Sequence, residues 1–409
     1  MAAKRPQPKP RAFARRLRSM LPVSPLPWHW NSWIAKGAVA AVAALVLGGA
    51  LASILLQGGG DSEPGAAAAP KASEPVKRKL AGLSLAQKAD AVVVSGFSDS
   101  DQVARLVSSA QLGGVLVGAD DWFGTFKGRT LISRIDAQAA RGGRVPPLVV
   151  GVQEGGLYRA YPELPPAESQ ATVGATANPK LAAEWARATA RALARSGFDL
   201  NLAPVADVAT LDSPIADRAF GDDPALVAAM TAASVRGCRR GGIACALPYF
   251  PGLGAASQST ADGPATISLD LASLRARDLA PFRAAIAAGA PALVLSLGLY
   301  AAYEPVTPAA LSPAIATGLL RNQLGFKGVA LTDDLSAGAA ATGLAPERAA
   351  VQALAAGADM VQVSDPAGAA AARAALLKAA RRGSIPAERL DQAVARVLSL
   401  KRSLGLLEG

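Results

Sequence analysis

Histidine is almost absent from this sequence, and cysteine is nearly as rare. His29 is the only histidine in 409 residues, and Cys238 and Cys245 are the only cysteines. Two cysteines and one histidine in a separate N-terminal tail are too few ligands for a zinc site, so we expect no metal. We expect no cofactor either. Cys238 and Cys245 are compatible with a disulfide outside the cytoplasm or with two buried thiols, because their spacing alone does not establish the geometry.

Acidic residues are missing from residues 1–36, although this tail carries eight Lys and Arg side chains. The whole chain has 42 basic and 31 acidic residues and a formal charge of +11, so without the tail 34 basic residues face 31 acidic ones, a net charge of +3. The body of the protein therefore lacks the basic surface that grips phosphates, and we expect no nucleic-acid partner.

Charge of either sign is missing from residues 37–57, GAVAAVAALVLGGALASILLQ. These 21 residues are long enough to cross a hydrocarbon core of about 30 Å. The basic tail before them places the N-terminus in the cytoplasm by the positive-inside rule. The sequence thus predicts a single-pass membrane protein with a cytoplasmic tail (1–36), a transmembrane helix (37–57) and an extracytoplasmic remainder. A cleaved signal peptide is the alternative.

Apolar periodicity is lacking in residues 58–79, which are rich in Gly, Pro, Ala and Ser. Such a composition is typical of a flexible linker. The remaining residues, 80–409, contain the apolar runs needed for a large core, and we assign them to one folded domain.

Eight short apolar runs of strand type follow one another in this domain. They are residues 91–95, 114–118, 148–152, 199–203, 243–247, 292–296, 328–332 and 359–363. Stretches with helical spacing lie between them, such as 179–196 and 224–240. Strands separated by helices run parallel, so the pattern predicts an α/β fold, a closed (β/α)₈ barrel of the TIM type. An open doubly wound sheet is the alternative.

In such a barrel the loops after the strands carry the chemistry, and several of these loops contain polar residues or glycine-rich turns. These loops resemble signatures of glycoside hydrolase family 3, specifically the single-domain β-N-acetylhexosaminidases that trim N-acetylglucosamine from peptidoglycan fragments. Matching segments follow in the right order over nearly all of residues 80–407. They include VQEGG, GFDLNLAPVADV, IADRAFGDD, YFPGLG and GFKGVALTDDL.

The resemblance implies a catalytic nucleophile at Asp333. In the family, the Asp that closes strand seven attacks the anomeric carbon and forms a covalent glycosyl-enzyme, and Asp333 in LTDDL occupies that position. A carboxylate at the mouth of a barrel can reach a sugar bound across it. Acids after a strand also cap helices, and Asp334 is a candidate for that structural role.

The general acid/base that the resemblance requires is missing. In the family's hexosaminidases it is a His paired with an Asp in a D-S-H loop that follows a K-H-F-P-G-H-G motif. The residues at the corresponding positions here are Pro248, Tyr249, Leu253, Ser259 and Ala261. None of them transfers protons as His does, and no histidine lies after residue 57 to replace it. Asp262 and Glu154 are the nearby carboxylates that could substitute.

The positions that hold sugar hydroxyls in the family have also changed. The first acid of D-Q-E-G-G is Val152, and the Arg expected after this motif falls at Ala160, with Arg159 one place away. Arg218 in IADRAFG remains, and its fork of donors suits a hydroxyl or a carboxylate. An ion pair with Asp207 or Asp217 is the alternative for Arg218. The expected substrate-binding residues are Arg218, Glu154, Arg159 and Asp207.

These losses predict a membrane-anchored, catalytically degenerate member of the family. It would act in the cell envelope and bind a cell-wall glycan or an envelope protein. An active retaining glycosidase with an acid/base foreign to the family is the alternative.

Overall fold

The computed structural model describes residues 72–122 and 124–408. The predicted cytoplasmic tail and transmembrane helix, with the linker as far as residue 71, lie outside these residues. Within the described part, no helix is long and apolar enough to cross a membrane.

Eight parallel strands form a closed barrel, as the sequence predicts. They are β1 (Val93–Ser95), β2 (Gly114–Leu116), β3 (Leu148–Gly151), β4 (Leu200–Asn201), β5 (Ala244–Phe250), β6 (Ala292–Leu295), β7 (Val329–Asp334) and β8 (Met360–Val363). Each strand pairs with its neighbours in sequence, and β8 closes the barrel against β1 with Val361 beside Val93. The prediction of a (β/α)₈ barrel is confirmed, and the open sheet is wrong.

The alternation of side chains along each strand fills two separate regions of core. Val94, Leu148 and Val150 belong to the cluster inside the barrel. Val149 lies between two of them and joins an outer cluster with Ile132 from a surrounding helix. Because both faces of a parallel strand are buried in this way, the strands appear in the sequence as continuous apolar runs.

Helices surround the barrel. They are α1 (Glu74–Ala81), α2 (Leu85–Asp90), α3 (Ser100–Ser109), α4 (Thr125–Arg141), α5 (Gln170–Gly174), α6 (Pro179–Arg195), α7 (Pro224–Gly241), α8 (Leu271–Ser273), α9 (Leu279–Ala287), α10 (Ala339–Thr342), α11 (Pro346–Ala356), α12 (Pro366–Arg381) and α13 (Ala387–Ser403). Leu274–Asp278 and Ala314–Gln323 are π-helical. Regular structure begins before the predicted domain boundary at residue 80, because α1 includes the last residues of the predicted linker.

The helix α13 closes the N-terminal end of the barrel. Val397 and Leu400 reach the cluster inside the barrel, and Lys401 Nζ donates to the carbonyl oxygen of Leu112 at 2.8 Å. Burial lowers the pKa of Lys401 to about 7. This end of the barrel is therefore a packed core, which leaves the other end for a site.

A disulfide joins Cys238, near the end of α7, to Cys245 in β5, with a Cα–Cα distance of 6.2 Å. Both residues are buried. Of the two states that the sequence left open, the structure has the disulfide.

Candidate active site

A cavity of about 200 Å³ opens at the mouth of the barrel, where β5 and β7 end. Its walls combine the ends of these strands with the segments after β4, β5 and β7. The lining residues are Ile215, Arg218, Tyr249, Leu253, Ser259, Thr260, Ala261, Asp333, Asp334, Ala337 and Gly338. Two of the predicted site residues, Asp333 and Arg218, thus meet in one cavity.

Asp333 and Asp334 are the last residues of β7, so the strand itself fixes their positions. The Asp333 Oδ1 atom accepts a hydrogen bond from the backbone N–H of Asp334 at 2.9 Å. Burial, reinforced by the charge of Asp334, raises the pKa of Asp333 to about 6. Asp334 Oδ1 accepts from the backbone N–H groups of Ser336 and Ser364, both at 3.0 Å. Asp334 therefore organises the turn after β7, whereas Asp333 is available to a ligand.

Arg218 is held rigidly over the cavity by Glu154. Its Nε and Nη2 atoms donate to the two carboxylate oxygens of Glu154 at 2.7 and 2.6 Å. Nη2 also donates to the hydroxyl oxygen of Tyr249, and the guanidinium lies 4.7 Å from the ring centroid of Tyr158. A bidentate pair of this kind is strong and directional. Arg218 is thus preorganised, and both oxygens of Glu154 are occupied.

The ion-pair partner of Arg218 differs from the two that the sequence suggested. An ion pair was expected with Asp207 or Asp217, but the carboxylate bonded to Arg218 belongs to Glu154. Asp217 is exposed to solvent. Glu154 belongs to a short antiparallel hairpin formed by Gln153–Gly155 and Tyr158–Arg159, which brings it to the mouth.

Asp207 is fully buried and does not line the cavity. Its Oδ1 atom accepts a hydrogen bond from the backbone N–H of Leu253, whereas Oδ2 has no hydrogen-bond partner among the described residues. Burial raises the pKa of Asp207 to about 8, and the nearby charge of Asp278 adds to this effect. Asp207 supports the loop that carries Leu253, so it is placed to position that loop, not to contact a sugar.

Arg159 is the predicted site residue that the structure places apart from the others. It ends the second strand of the hairpin and is partly exposed. It does not line the cavity around Asp333.

The loop that closes the cavity contributes Ser259, Thr260 and Ala261. These are the residues that the sequence comparison with the family motif assigns to the D-S-H loop, and they lie against the cavity. The backbone N–H of Ala261 donates to Ser259 Oγ at 3.2 Å, which stabilises the turn locally. Asp262 is exposed and is not part of the cavity wall. The loop therefore carries no acid into the cavity.

The glycines of the family-like motifs are required by the backbone. Gly155 has φ of +103°, and a Cβ there would meet the carbonyl oxygen of Glu168 at 2.2 Å. A Cβ on Gly254 would meet the carbonyl oxygen of Val208 at 2.0 Å. Both turns need glycine whether or not the site is active, which explains why they remain while polar side chains have changed.

Tyr249 and Tyr158 are site residues that sequence reasoning missed. Tyr249 was treated only as a lost histidine, yet its hydroxyl bonds to Arg218 and lines the cavity. Burial raises the pKa of Tyr249 well above its usual value, so it acts as a neutral phenol. The available signal was an aromatic residue in or just after each motif: Tyr249 begins YFPGLG, and Tyr158 follows VQEGG by two residues.

A closed eight-stranded barrel with a carboxylate at the end of β7 and an arginine fork beside it defines a (β/α)₈ protein with the site layout of a glycoside hydrolase. The family model described as "Glycosyl hydrolase family 3 N terminal domain" matches residues 77–400. The chain belongs to glycoside hydrolase family 3.

The chain is also similar in sequence to bacterial β-hexosaminidases. The chain is 38% identical over 250 residues to a β-hexosaminidase of Stenotrophomonas maltophilia, which covers 59% of this chain and 74% of that protein. It is 37% identical over 218 residues to a β-hexosaminidase of Xanthomonas campestris, covering 51% of this chain and 65% of that one.

Solved structures show the same fold. A family 3 β-N-acetylglucosaminidase from Paenibacillus sp. superposes with a TM-score of 0.75 at 31% identity, over 80% of this chain and 64% of that chain. A β-N-acetylhexosaminidase from Beutenbergia cavernae gives 0.68 at 32% identity, over 79% of this chain and 99% of that chain.

Proposed function

We propose that this protein is a catalytically impaired member of its family that binds the end of a β-linked glycan in the cell envelope. The observation that carries the proposal is the loop over Asp333. Where a retaining glycosidase places the group that protonates the leaving oxygen, this loop presents Ser259, Thr260 and Ala261.

Among the described residues, none of the carboxylates Glu154, Asp262 and Asp334 is placed to take over this role. Glu154 has both oxygens bonded to Arg218. Asp262 is outside the cavity, and Asp334 is bonded through Oδ1 to two backbone N–H groups. Loss of general acid/base assistance typically slows a reaction by about 10²–10⁴-fold. The site is therefore much better suited to binding than to turnover.

Binding is supported by the polar groups that remain. Asp333, the Arg218 guanidinium, the Tyr249 hydroxyl and Thr260 all line the cavity. A carboxylate with a fork of donors suits sugar hydroxyls. The cavity of about 200 Å³ is below the range of roughly 300–1,000 Å³ common for ligand pockets, which favours one terminal sugar unit over a longer segment.

Location in the envelope is part of the proposal. The uncharged segment 37–57 and the basic tail before it favour a membrane anchor with the barrel outside the cytoplasm. The Cys238–Cys245 disulfide supports this location, because disulfides persist in oxidising compartments.

The first test is hydrolysis of an aryl β-N-acetylglucosaminide by the full chain in mild detergent. The Asp333→Asn variant is the test of the nucleophile, and Asp262→Asn, which removes an exposed carboxylate nearby, is its matched control. We expect no turnover above background in any of the three. Direct binding of N-acetylglucosamine, followed by calorimetry, should be present in the wild type and weakened in Asp333→Asn.

A restored variant separates an impaired site from a collapsed one. Ser259→Asp combined with Ala261→His returns the missing pair to the loop. If the rest of the site is intact, this double variant should gain hydrolysis that Asp333→Asn abolishes. Absence of both binding and gained activity would contradict the proposal.

An active glycosidase is the second candidate, and the retained nucleophile position favours it. With a pKa of about 6, Asp333 is mostly ionised at neutral pH and is able to attack. An activated aryl glycoside needs little protonation of its leaving group, so wild-type turnover that disappears in Asp333→Asn would establish this alternative.

A further inference from the structure

Both cysteines of the disulfide line a cavity at the N-terminal end of the barrel, remote from the mouth. The cavity has a volume of about 390 Å³, within the range of roughly 300–1,000 Å³ that is common for ligand pockets. Its wall combines the end of α7 and the start of β5 with the end of α13. The lining residues are Val235, Cys238, Arg239, Gly242, Ile243, Ala244, Cys245, Gly289, Pro291, Leu400, Ser403 and Leu404.

The disulfide lies between this cavity and the packed helices outside the barrel. Cys238 and Cys245 form a small apolar cluster with Ala186 of α6. Cys238 is 4% exposed and Cys245 is 1% exposed. Of the two cysteines, Cys238 is therefore the one more open to a molecule in the cavity.

Arg239 supplies the one formal charge among the described residues that line this cavity. Its guanidinium lies beside Gly289, since a Cβ on that glycine would stand 3.4 Å from Arg239 Nη1. Within residues 72–122 and 124–408, no carboxylate forms an ion pair with Arg239. The helix dipole favours a basic residue at this end of α7, but Arg240 meets that need without lining the cavity.

A disulfide beside a cation is suited to thiol–disulfide exchange. The attacking species is a thiolate, and the reaction releases a second thiolate, so negative charge is present throughout. A neighbouring arginine attracts such an anion and stabilises it. Arg239 therefore favours thiolates that enter this cavity, and it favours most those that carry further negative charge.

We propose that the cavity admits a small anionic thiol, which opens the Cys238–Cys245 disulfide by exchange. The thiolate sulfur bonds to Cys238 Sγ, the Sγ–Sγ bond breaks, and its electron pair leaves with Cys245 as a thiolate. A second thiolate attacks the thiol-derived sulfur of the mixed disulfide and releases Cys238. The protein disulfide is reduced to two thiols, and the two small thiols are oxidised to their own disulfide.

The test measures reduction of the disulfide in the folded full chain, in mild detergent without denaturant. Glutathione, which is anionic, and cysteamine, which is cationic, are compared at equal thiolate concentrations. Free cysteines are blocked with N-ethylmaleimide, and mass spectrometry of the two cysteine peptides gives the rate. Each rate is divided by the rate of the same thiol with an uncharged disulfide, hydroxyethyl disulfide. The normalised rate should be about two- to fivefold higher for glutathione, the effect of one exposed charge.

Two charge variants separate the cavity from the rest of α7. Arg239→Gln should abolish the preference for glutathione. Arg236→Gln is the matched control, because it removes an exposed charge one turn earlier that does not line the cavity, and it should keep the preference. Salt at about 1 M should reduce the preference in the wild type. Equal normalised rates for the two thiols, or rates independent of thiol concentration, would show that reduction requires unfolding and would overturn the proposal.

Two cysteine variants identify the sulfur that is attacked. Cys245→Ser leaves Cys238 as a free thiol, and Cys238→Ser leaves Cys245. Each folded variant is treated with oxidised glutathione, and the mixed disulfide is followed by mass spectrometry. Cys245→Ser should react faster, because Cys238 is the more exposed residue. A faster reaction of Cys238→Ser would overturn the attack at Cys238.

Discussion

At the N-terminal end of the barrel Asp359 is bonded to three arginines, whereas at the mouth neither Asp207 nor Asp333 has a hydrogen bond to an arginine among the described residues. Asp359 bonds to Arg321 at 2.5 Å and to Arg389 and Arg396 at 3.0 Å, and it also accepts from a backbone N–H. At the mouth, Asp207 has one oxygen without a partner among the described residues, and Asp333 has a raised pKa.

The two ends of the barrel thus differ in whether the surroundings stabilise the charged form of a buried carboxylate. Burial alone would raise the pKa of Asp359, but its three arginines lower it below the ordinary value, so the charged form is stabilised. For Asp207 and Asp333 burial prevails and raises the pKa. Groups that a fold keeps at a cost to stability are candidates for function. The mouth therefore retains the character of a site, although Ser259, Thr260 and Ala261 bring no acid into it.

The largest expected effect comes from Asp359→Asn. The change leaves three buried guanidinium groups without their counter-charge, and breaking a buried ion-pair network in this way costs about 3–5 kcal/mol. Chemical denaturation of the full chain in mild detergent measures the loss. Asp391→Asn is the control, because its pair with Lys88 is partly exposed and should contribute at most about 1 kcal/mol. Equal losses of stability in Asp359→Asn and Asp391→Asn would show that the buried arginine cluster around Asp359 contributes no more than a surface ion pair.

The disulfide should have the next largest effect. Replacing both Cys238 and Cys245 by Ser releases a short loop in the unfolded chain, and loop-closure entropy predicts a loss of about 2–3 kcal/mol. Denaturation with and without a reductant measures it. Reductant should destabilise the wild type by a similar amount and leave the double variant unchanged. The expectation would be contradicted if the reductant left the free energy of unfolding of the wild type unchanged.

At the mouth, Asp207 should make stability fall as pH rises. Its folded pKa of about 8 lies above the ordinary value of 3.8, so the folded state holds a proton that the unfolded chain releases. Stability is therefore lost progressively from about pH 4 to pH 8. Asp207→Asn keeps an oxygen for the Leu253 N–H and should be about 1–3 kcal/mol less sensitive to pH between pH 5 and pH 7. Denaturation curves at both pH values for the variant and the wild type give this difference, and identical slopes would show that Asp207 stays ionised.

The fold could be predicted because each strand is buried on both faces. Runs such as residues 148–152 and 359–363 are apolar throughout, and the helices between them have a clear periodicity. The predicted flexible linker extends too far, to residue 79, because α1 already forms at residues 74–81 although its sequence, EPVKRKLA, has few apolar residues. This helix is stabilised by packing against α13, which no local pattern reveals.

The site was predictable only where a motif fixed the position. Asp333 and the loop at Ser259 and Ala261 could be placed by order and spacing, and both line the cavity. The partner of Arg218 could not be predicted from the sequence. Glu154 lies 64 residues away along the chain and reaches Arg218 only because the hairpin after β3 carries it to the mouth. Long-range pairs of this kind depend on the closed barrel, so Asp207 was assigned to the ligand when it supports the loop.

The smallest predicted effect sharpens the comparison, because its sign is opposite to that of Asp359→Asn. Asp333 has a folded pKa of about 6 against an ordinary value of 3.8, so at pH 7 the folded state carries an unfavourable charge. Its partial exposure reduces the cost, and Asp333→Asn should stabilise the protein by about 1 kcal/mol at pH 7. The gain should disappear near pH 4, where the carboxyl is protonated in the folded state. Asp262→Asn, at an exposed site, should change stability at neither pH. Destabilisation by Asp333→Asn at pH 7 would mean that this carboxylate stabilises the fold, as Asp359 does. The argument that the mouth is a retained ligand site would then fail.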